Sequence, residues 1–165
     1  MRPMIVAPAV ALLLCALALP AHAAGVVWRS WNDGLAAASR SKLPVIVDVY
    51  TDWCGWCKRM DRETYARADV STYLNSHFVM VRLNAESPER ANYQGRVFNG
   101  KTLAGAFDVT GYPTTIFLRA NGEHMVNVPG YLPSDKFMKL VRYIGDGHME
   151  RGVTWETYSG GAGGK

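Results

Sequence analysis

Val47-Asp48-Val49-Tyr50-Thr51-Asp52-Trp53-Cys54-Gly55-Trp56-Cys57-Lys58 is the stretch on which the reading of this chain turns. Its first half belongs to the run Val45 to Tyr50. That run is β-branched and nearly continuous, the pattern of a strand covered on both faces. The second half passes directly into a helical pattern that continues to about Ala68. A Cys-x-x-Cys pair therefore opens the helix. One acid, Asp48, stands mid-strand among Val and Ile, where an ionisable group is costly unless it has a partner or a task.

Outward from this stretch the elements follow in a regular order. Trp31 to Lys42 predicts a helix that Asn32 or Asp33 can cap. Asp69 is placed to cap a short helix through Asn75. Phe78 to Asn84 reads as a second buried strand, whereas Ser87 to Gly100 is polar and gives no assignable pattern. Lys101 to Phe107 suggests one or two helical turns, and Thr114 to Leu118 a third strand. Asn121-Gly122 is a hairpin signal that sets His124 to Val128 antiparallel to that strand. Pro133 to Ile144 closes the pattern as an amphipathic helix with Phe137, Leu140, Val141 and Ile144 on one face. A βαβ unit followed by a ββα unit implies an α/β fold: a central mixed β-sheet flanked by helices on both faces.

The 165-residue chain is long enough for one domain with a sizeable core, and 48% of it is hydrophobic, as in ordinary globular proteins. A net charge of +4 without any Lys/Arg-rich run gives no footprint for nucleic acid. At the N-terminus, Arg2 precedes an uncharged apolar run from Ile5 to Leu19, then Pro20 and the small-x-small Ala21-His22-Ala23. Residues 1–23 are read as a cleaved signal peptide. The apolar run is shorter than the roughly 20 residues a membrane span needs, which disfavours a retained anchor. Leu14 before Cys15 disfavours a lipoprotein. The domain is expected over 24–148, with a flexible Gly-rich tail over 149–165. Export places the mature chain in the periplasm, an oxidising compartment, with Cys54 and Cys57 as its only cysteines.

A disulfide between residues three apart closes too small a ring to brace a fold, because such stabilisation grows with loop length. The pair is better read as chemistry. Thiol–disulfide exchange needs a thiolate that attacks and a second thiol that resolves the mixed disulfide. At a helix start, unpaired N–H groups and the helix dipole favour the anion on Cys54. Cys57, one turn in, is the resolving thiol, and Lys58 adds positive charge beside them. A structural zinc site wants four ligands. A second Cys-x-x-Cys is absent, and His77, His124 and His148 lack ligand spacing. The expectation is no metal and no cofactor.

Taken with the later Gly111-Tyr112-Pro113-Thr114-Thr115 and with Phe117 to Gly122-Glu123 and Gly130-Tyr131, the opening stretch resembles the thioredoxin-like family. The resemblance covers roughly Trp28 to Asp146 and is nearest to periplasmic thiol:disulfide interchange proteins such as the C-terminal domain of DsbD. It implies the thioredoxin fold. Asp48 matches the family's buried acid beneath the resolving cysteine and would take the proton of Cys57. Arg82 aligns with a lysine that pairs with that acid. Pro113 matches a cis-proline facing the cysteines. The backbone of Tyr112 would hydrogen-bond an extended substrate, and Trp53 and Trp56 would form its platform.

The implied activity is reduction of protein disulfides by a monomer recharged from a membrane electron donor of the DsbD type. The retained Asp48 favours a reductant, and no helical insertion of the kind strong oxidants carry is visible between Thr64 and Gly111. The dipeptide Gly55-Trp56 matches neither the Gly-Pro of thioredoxin nor the Pro-His of a strong oxidant. A disulfide oxidase or isomerase is therefore the alternative, with a redox-silent binding module as a third reading.

Overall fold

The computed structural model describes residues 25–160. The expected signal peptide and the last five residues lie outside that range. Strands β1 (Trp28–Arg29), β2 (Val45–Tyr50), β3 (Val79–Asn84), β6 (Thr114–Leu118) and β7 (His124–Pro129) form one sheet in the order β1-β3-β2-β6-β7. A separate hairpin joins β4 (Ala91–Tyr93) to β5 (Arg96–Phe98). The helices are α1 (Trp31–Ser41), α2 (Gly55–Met60), α3 (Ala68–His77), α4 (Gly100–Ala106), α5 (Ser134–Gly145) and α6 (Trp155–Gly160). Strand β3 is parallel to both β1 and β2, whereas β6 is antiparallel to β2 and β7 to β6. The sheet is mixed, as the strand pattern predicts.

Central strand β2 shows why its run of apolar residues is unbroken. Side chains alternate across a sheet, and both faces here are covered. Val45, Val47 and Val49 pack with Trp31 and Ala38 of α1 and Leu103 and Ala104 of α4. Ile46, on the other face, packs with Met60, Val70, Leu74, Phe137 and Val141 from α2, α3 and α5. Asp48 shares the face of Ile46 and so lies on the side that α2 covers.

Strand direction gathers the loops that matter. The parallel strands β2 and β3 end where the antiparallel β6 begins. The loops after β2, after β3, before β6 and after β7 therefore open at one end of the sheet. Hydrogen bonds tie two of them together, with Gly130 N–H donating to the Pro113 carbonyl at 2.7 Å.

Several details depart from the sequence reading. Ser30 caps α1, its hydroxyl accepting from Asp33 N–H and donating to the Asp33 carboxylate. Ser30 directly precedes the helix, whereas Asn32 and Asp33 already lie inside its first turn. Helix α3 starts at Ala68 with no side-chain cap, and Asp69 instead pairs with Arg67. The unassigned polar segment forms the β4–β5 hairpin, turned through Gln94 and Gly95 at positive φ. Beyond residue 148, turns and α6 pack back on α5. Tyr143 donates its hydroxyl to the Val153 carbonyl at 2.6 Å, and Trp155 and Tyr158 pack against the Tyr143 ring, edge-on and tilted. Residues 149–160 thus hold to the domain through aromatic contacts, where their glycine and polar content pointed to a tail.

Candidate active site

Thr51, Asp52 and Trp53 turn the chain out of β2, and Cys54 N–H closes the turn on the Thr51 carbonyl at 3.1 Å. Cys54 is the N-cap residue of α2, and its sulfur accepts from Cys57 N–H at 3.1 Å. The two sulfurs are joined as a disulfide, with Cα atoms 5.3 Å apart. Both cysteines are buried, so the flanking indoles carry the exposed surface of the site. Trp53 is 66% exposed and Trp56 55%. Helix α2 continues directly into a π-helical turn over Asp61–Tyr65.

Beneath the helix, Asp48 is buried to 1% exposure. In register with it on β3 stands Arg82, whose Nε and Nη2 donate to Asp48 Oδ2, each at 3.2 Å. Tyr65, from the π turn, donates to Asp48 Oδ1 at 3.4 Å. Arg82 also donates to Asp61. Its guanidinium lies between the rings of Trp28, at 4.7 Å, and Tyr50, at 4.8 Å. Burial pushes the Asp48 carboxyl from 3.8 up to about 6, against the lowering pull of Arg82 and with a further push from the Asp61 carboxylate. Its proton is thus poised to move near neutral pH. Burial, with the Asp48 charge behind it, holds the Tyr65 phenol well above its ordinary value.

The remaining predicted residues lie on the α2 start and on the loops before β6 and after β7, or flank them. The Tyr112–Pro113 bond is cis. Tyr112 meets Trp53 edge-to-face, with centroids 5.9 Å apart, and the Trp53 indole N–H donates to Glu86 at 2.9 Å. Trp56 lies against Tyr131 at 5.5 Å. Lys58 is exposed on α2. A cleft of about 510 Å³ opens on the β3 side, lined by Asp52, Arg82, Asn84 and Glu86 among others. Among the described residues no group of His, Cys, Asp and Glu side chains is placed to hold a metal ion, and no helix is long and apolar enough to cross a membrane.

Sequence reasoning missed Asp61, Tyr65, Glu63 and Glu86. The first three come to the site because the π turn widens the helix and resets which residues face inward. The only available signal for Tyr65 was an aromatic eight residues beyond the second cysteine, too generic to act on.

With this geometry in view, the comparisons with known proteins are consistent. A family model described as a thioredoxin-like domain matches residues 31–145. The chain is 24% identical over 115 residues to the disulfide bond reductase DsbH of Chlamydia pneumoniae, across 69% of this chain and 68% of that protein. It is 29% identical over 112 residues to the thiol:disulfide interchange protein DsbD of Ralstonia nicotianae, across 67% of this chain but only 17% of that much longer protein. A solved thioredoxin from Thermus thermophilus superposes with a TM-score of 0.61 at 26% identity, over 76% of this chain and 96% of that one. The chain belongs to the thioredoxin-like domain family, as a disulfide oxidoreductase whose Cys-x-x-Cys pair is Cys54 and Cys57.

Proposed function

We propose that this protein is exported to the periplasm, through a signal peptide over residues 1–23, and there reduces protein disulfides as a monomer. In the reduced enzyme, the Cys54 thiolate attacks one sulfur of a substrate disulfide. A Cys54–substrate bond forms, the substrate S–S bond breaks, and the first substrate thiolate leaves. Cys57 then loses its proton to Asp48 and attacks the Cys54 sulfur. The mixed disulfide breaks, the second substrate thiolate departs and is protonated, and the enzyme is left as the Cys54–Cys57 disulfide. Two electrons have passed to the substrate. A membrane dithiol donor of the DsbD type returns them. The substrate lies along Trp53, Trp56, Tyr112 and Pro113, with Lys58 adding positive charge and Arg82 steadying the acid.

The observation that carries this reading is Asp48: a buried acid on the sheet face covered by α2, raised to about 6 by that burial. An acid there that changes protonation near pH 6 suits a base for a resolving thiol. Similarity to a protein named as a disulfide bond reductase, over most of both chains, supports the direction.

The reduction potential of the pair, measured against glutathione, tests it. A value near thioredoxin's, about −270 mV, is expected, and one near DsbA's, about −120 mV, overturns the assignment as reductant. A Cys57→Ser variant should retain substrate proteins as mixed disulfides on Cys54, recovered from periplasmic extract and released by dithiothreitol.

A further inference from the structure

Tryptophan at position 56 is the unusual member of the Cys-x-x-Cys loop, and the structure gives it a support of its own. Its indole is largely exposed, yet one side is occupied. The Arg59 guanidinium lies 5.2 Å from the Trp56 ring and 5.0 Å from the Tyr131 ring. Glu63 accepts the Arg59 Nε–H with both oxygens at 2.9 Å and the Tyr131 hydroxyl at 2.6 Å. The contacts form a closed circuit from Trp56 to Arg59, Glu63, Tyr131 and back to Trp56. The adjacent residue, Thr64, donates to the Leu132 carbonyl at 2.7 Å, so two successive residues of the π turn grip the loop that carries Tyr131. That loop is bonded in turn to the cis-proline strand through Gly130 and Pro113.

We propose that Arg59, Glu63 and Tyr131 are positioning residues that hold Trp56 as a fixed aromatic wall beside the Cys54–Cys57 pair, selecting polypeptide disulfides with an apolar or aromatic residue beside the attacked cysteine. The inference rests on reading Cys54–Cys57 as an exchange centre. An exposed ion pair alone contributes little, because ordering two long side chains offsets a screened attraction. Here the same carboxylate fixes a cation already stacked on two rings, and each contact restrains the others. The pairing also decides the chemistry of the wall. Glu63 pairs with Arg59 within the circuit, so the cation that lies on the indole is already satisfied and the ring itself is what Trp56 offers. An apolar or aromatic side chain is accepted there. An acidic one finds Arg59 already paired with Glu63 and loses water.

The test uses the full chain, reduced with dithiothreitol, and three probes: a disulfide-linked peptide with Phe beside the cysteine, the same peptide with Asp there, and 2-hydroxyethyl disulfide, which is too small to reach the wall. The quantity read is the ratio of kcat/KM for the Phe peptide to that for 2-hydroxyethyl disulfide. Glu63→Gln and Tyr131→Phe should each lower this ratio about fivefold, through KM of the peptide, the scale of losing one hydrogen bond that restrains the stacked cation. The reduction potential should stay at the natural value, which separates positioning from a disturbed redox centre. An unchanged ratio in both variants overturns the proposal, as does a natural protein that prefers the Asp peptide. If the natural protein turns over none of the three probes, the exchange reading itself fails.

Discussion

Asp48 is the residue where burial, charge and chemistry meet. Its folded-state value of about 6 exceeds the 3.8 of an exposed aspartate. Between those values the folded protein keeps a proton that the unfolded chain releases. Raising the pH therefore favours unfolding across that window. Stability contributed by the neutral carboxyl is complete below pH 4 and is lost as pH passes through about 6, by on the order of 3 kcal/mol. Asp48→Asn removes the titration while keeping the shape. In urea unfolding of the oxidised protein, the variant should gain on the natural chain by roughly that amount between pH 4 and pH 8. A gap that does not change with pH refutes the assignment. In the reduced protein, the same substitution should displace the thiolate titration of the cysteines, followed by ultraviolet absorbance. Thiolate curves that overlay those of the natural protein exclude Asp48 as the proton acceptor of Cys57.

At the scale of elements, the chain succeeds where two of them approach closely and where one is deformed. Helix α1 crosses β3 at Gly34, where an added Cβ would sit 2.1 Å from Val81 Cγ2, a fully buried atom on a central strand. Gly34→Ala should cost about 1–3 kcal/mol in urea unfolding, as overpacking does elsewhere. Gly55, where an added Cβ meets nothing within 4 Å, supplies the control. Gly55→Ala should stay within about 0.5 kcal/mol. The deformed element is the π turn after α2. Its residues serve different neighbours: Asp61 bonds Arg82, Glu63 bonds Arg59 and Tyr131, Thr64 bonds Leu132, and Tyr65 bonds Asp48. Single-turn π segments recur at functional sites for this kind of reason. A regular α-helix would turn at least one of these side chains away.

Across the whole molecule, the sheet has a chemical end and a supporting end. Strand β6 starts just after the cis-proline and finishes at Leu118, beyond which Arg119 pairs with Glu150. Helix α6 packs at the supporting end, where Lys139 Nζ donates to the Ser159 carbonyl and Tyr143 to that of Val153. Ending the chain at residue 152 removes the partner of a part-buried hydroxyl and the aromatic cover of Tyr143. The expected loss is about 2 kcal/mol of unfolding free energy, with the reduction potential unaltered. A shortened chain as stable as the full one rejects α6 as part of the domain. Docking of α6 at this end also explains why its helix escaped prediction. Six residues ending in glycine have little helical tendency of their own, and Tyr143, with His148 beside Tyr158, gives Trp155 and Tyr158 a surface to pack against.

Strand β2, the hairpin at Asn121-Gly122, the amphipathic helix α5 and the Cys-x-x-Cys helix start were legible in the amino-acid order alone, because period, turn chemistry and local spacing are properties of neighbours in the chain. Asp48 was conspicuous for the same reason, as an acid inside an apolar run. Its pairing with Arg82 was implied by the family resemblance, and the geometry of that pair and the other groups around the acid were settled in three dimensions. Arg82 follows Asp48 by 34 positions, and Tyr131 follows Glu63 by 68. Strand register and helix packing bring such pairs together, and neither is written in a local window. The π turn and the return of α6 onto α5 belong to the same class. Each is a weak local preference decided by burial and hydrogen bonding with distant residues, which the folded molecule alone supplies.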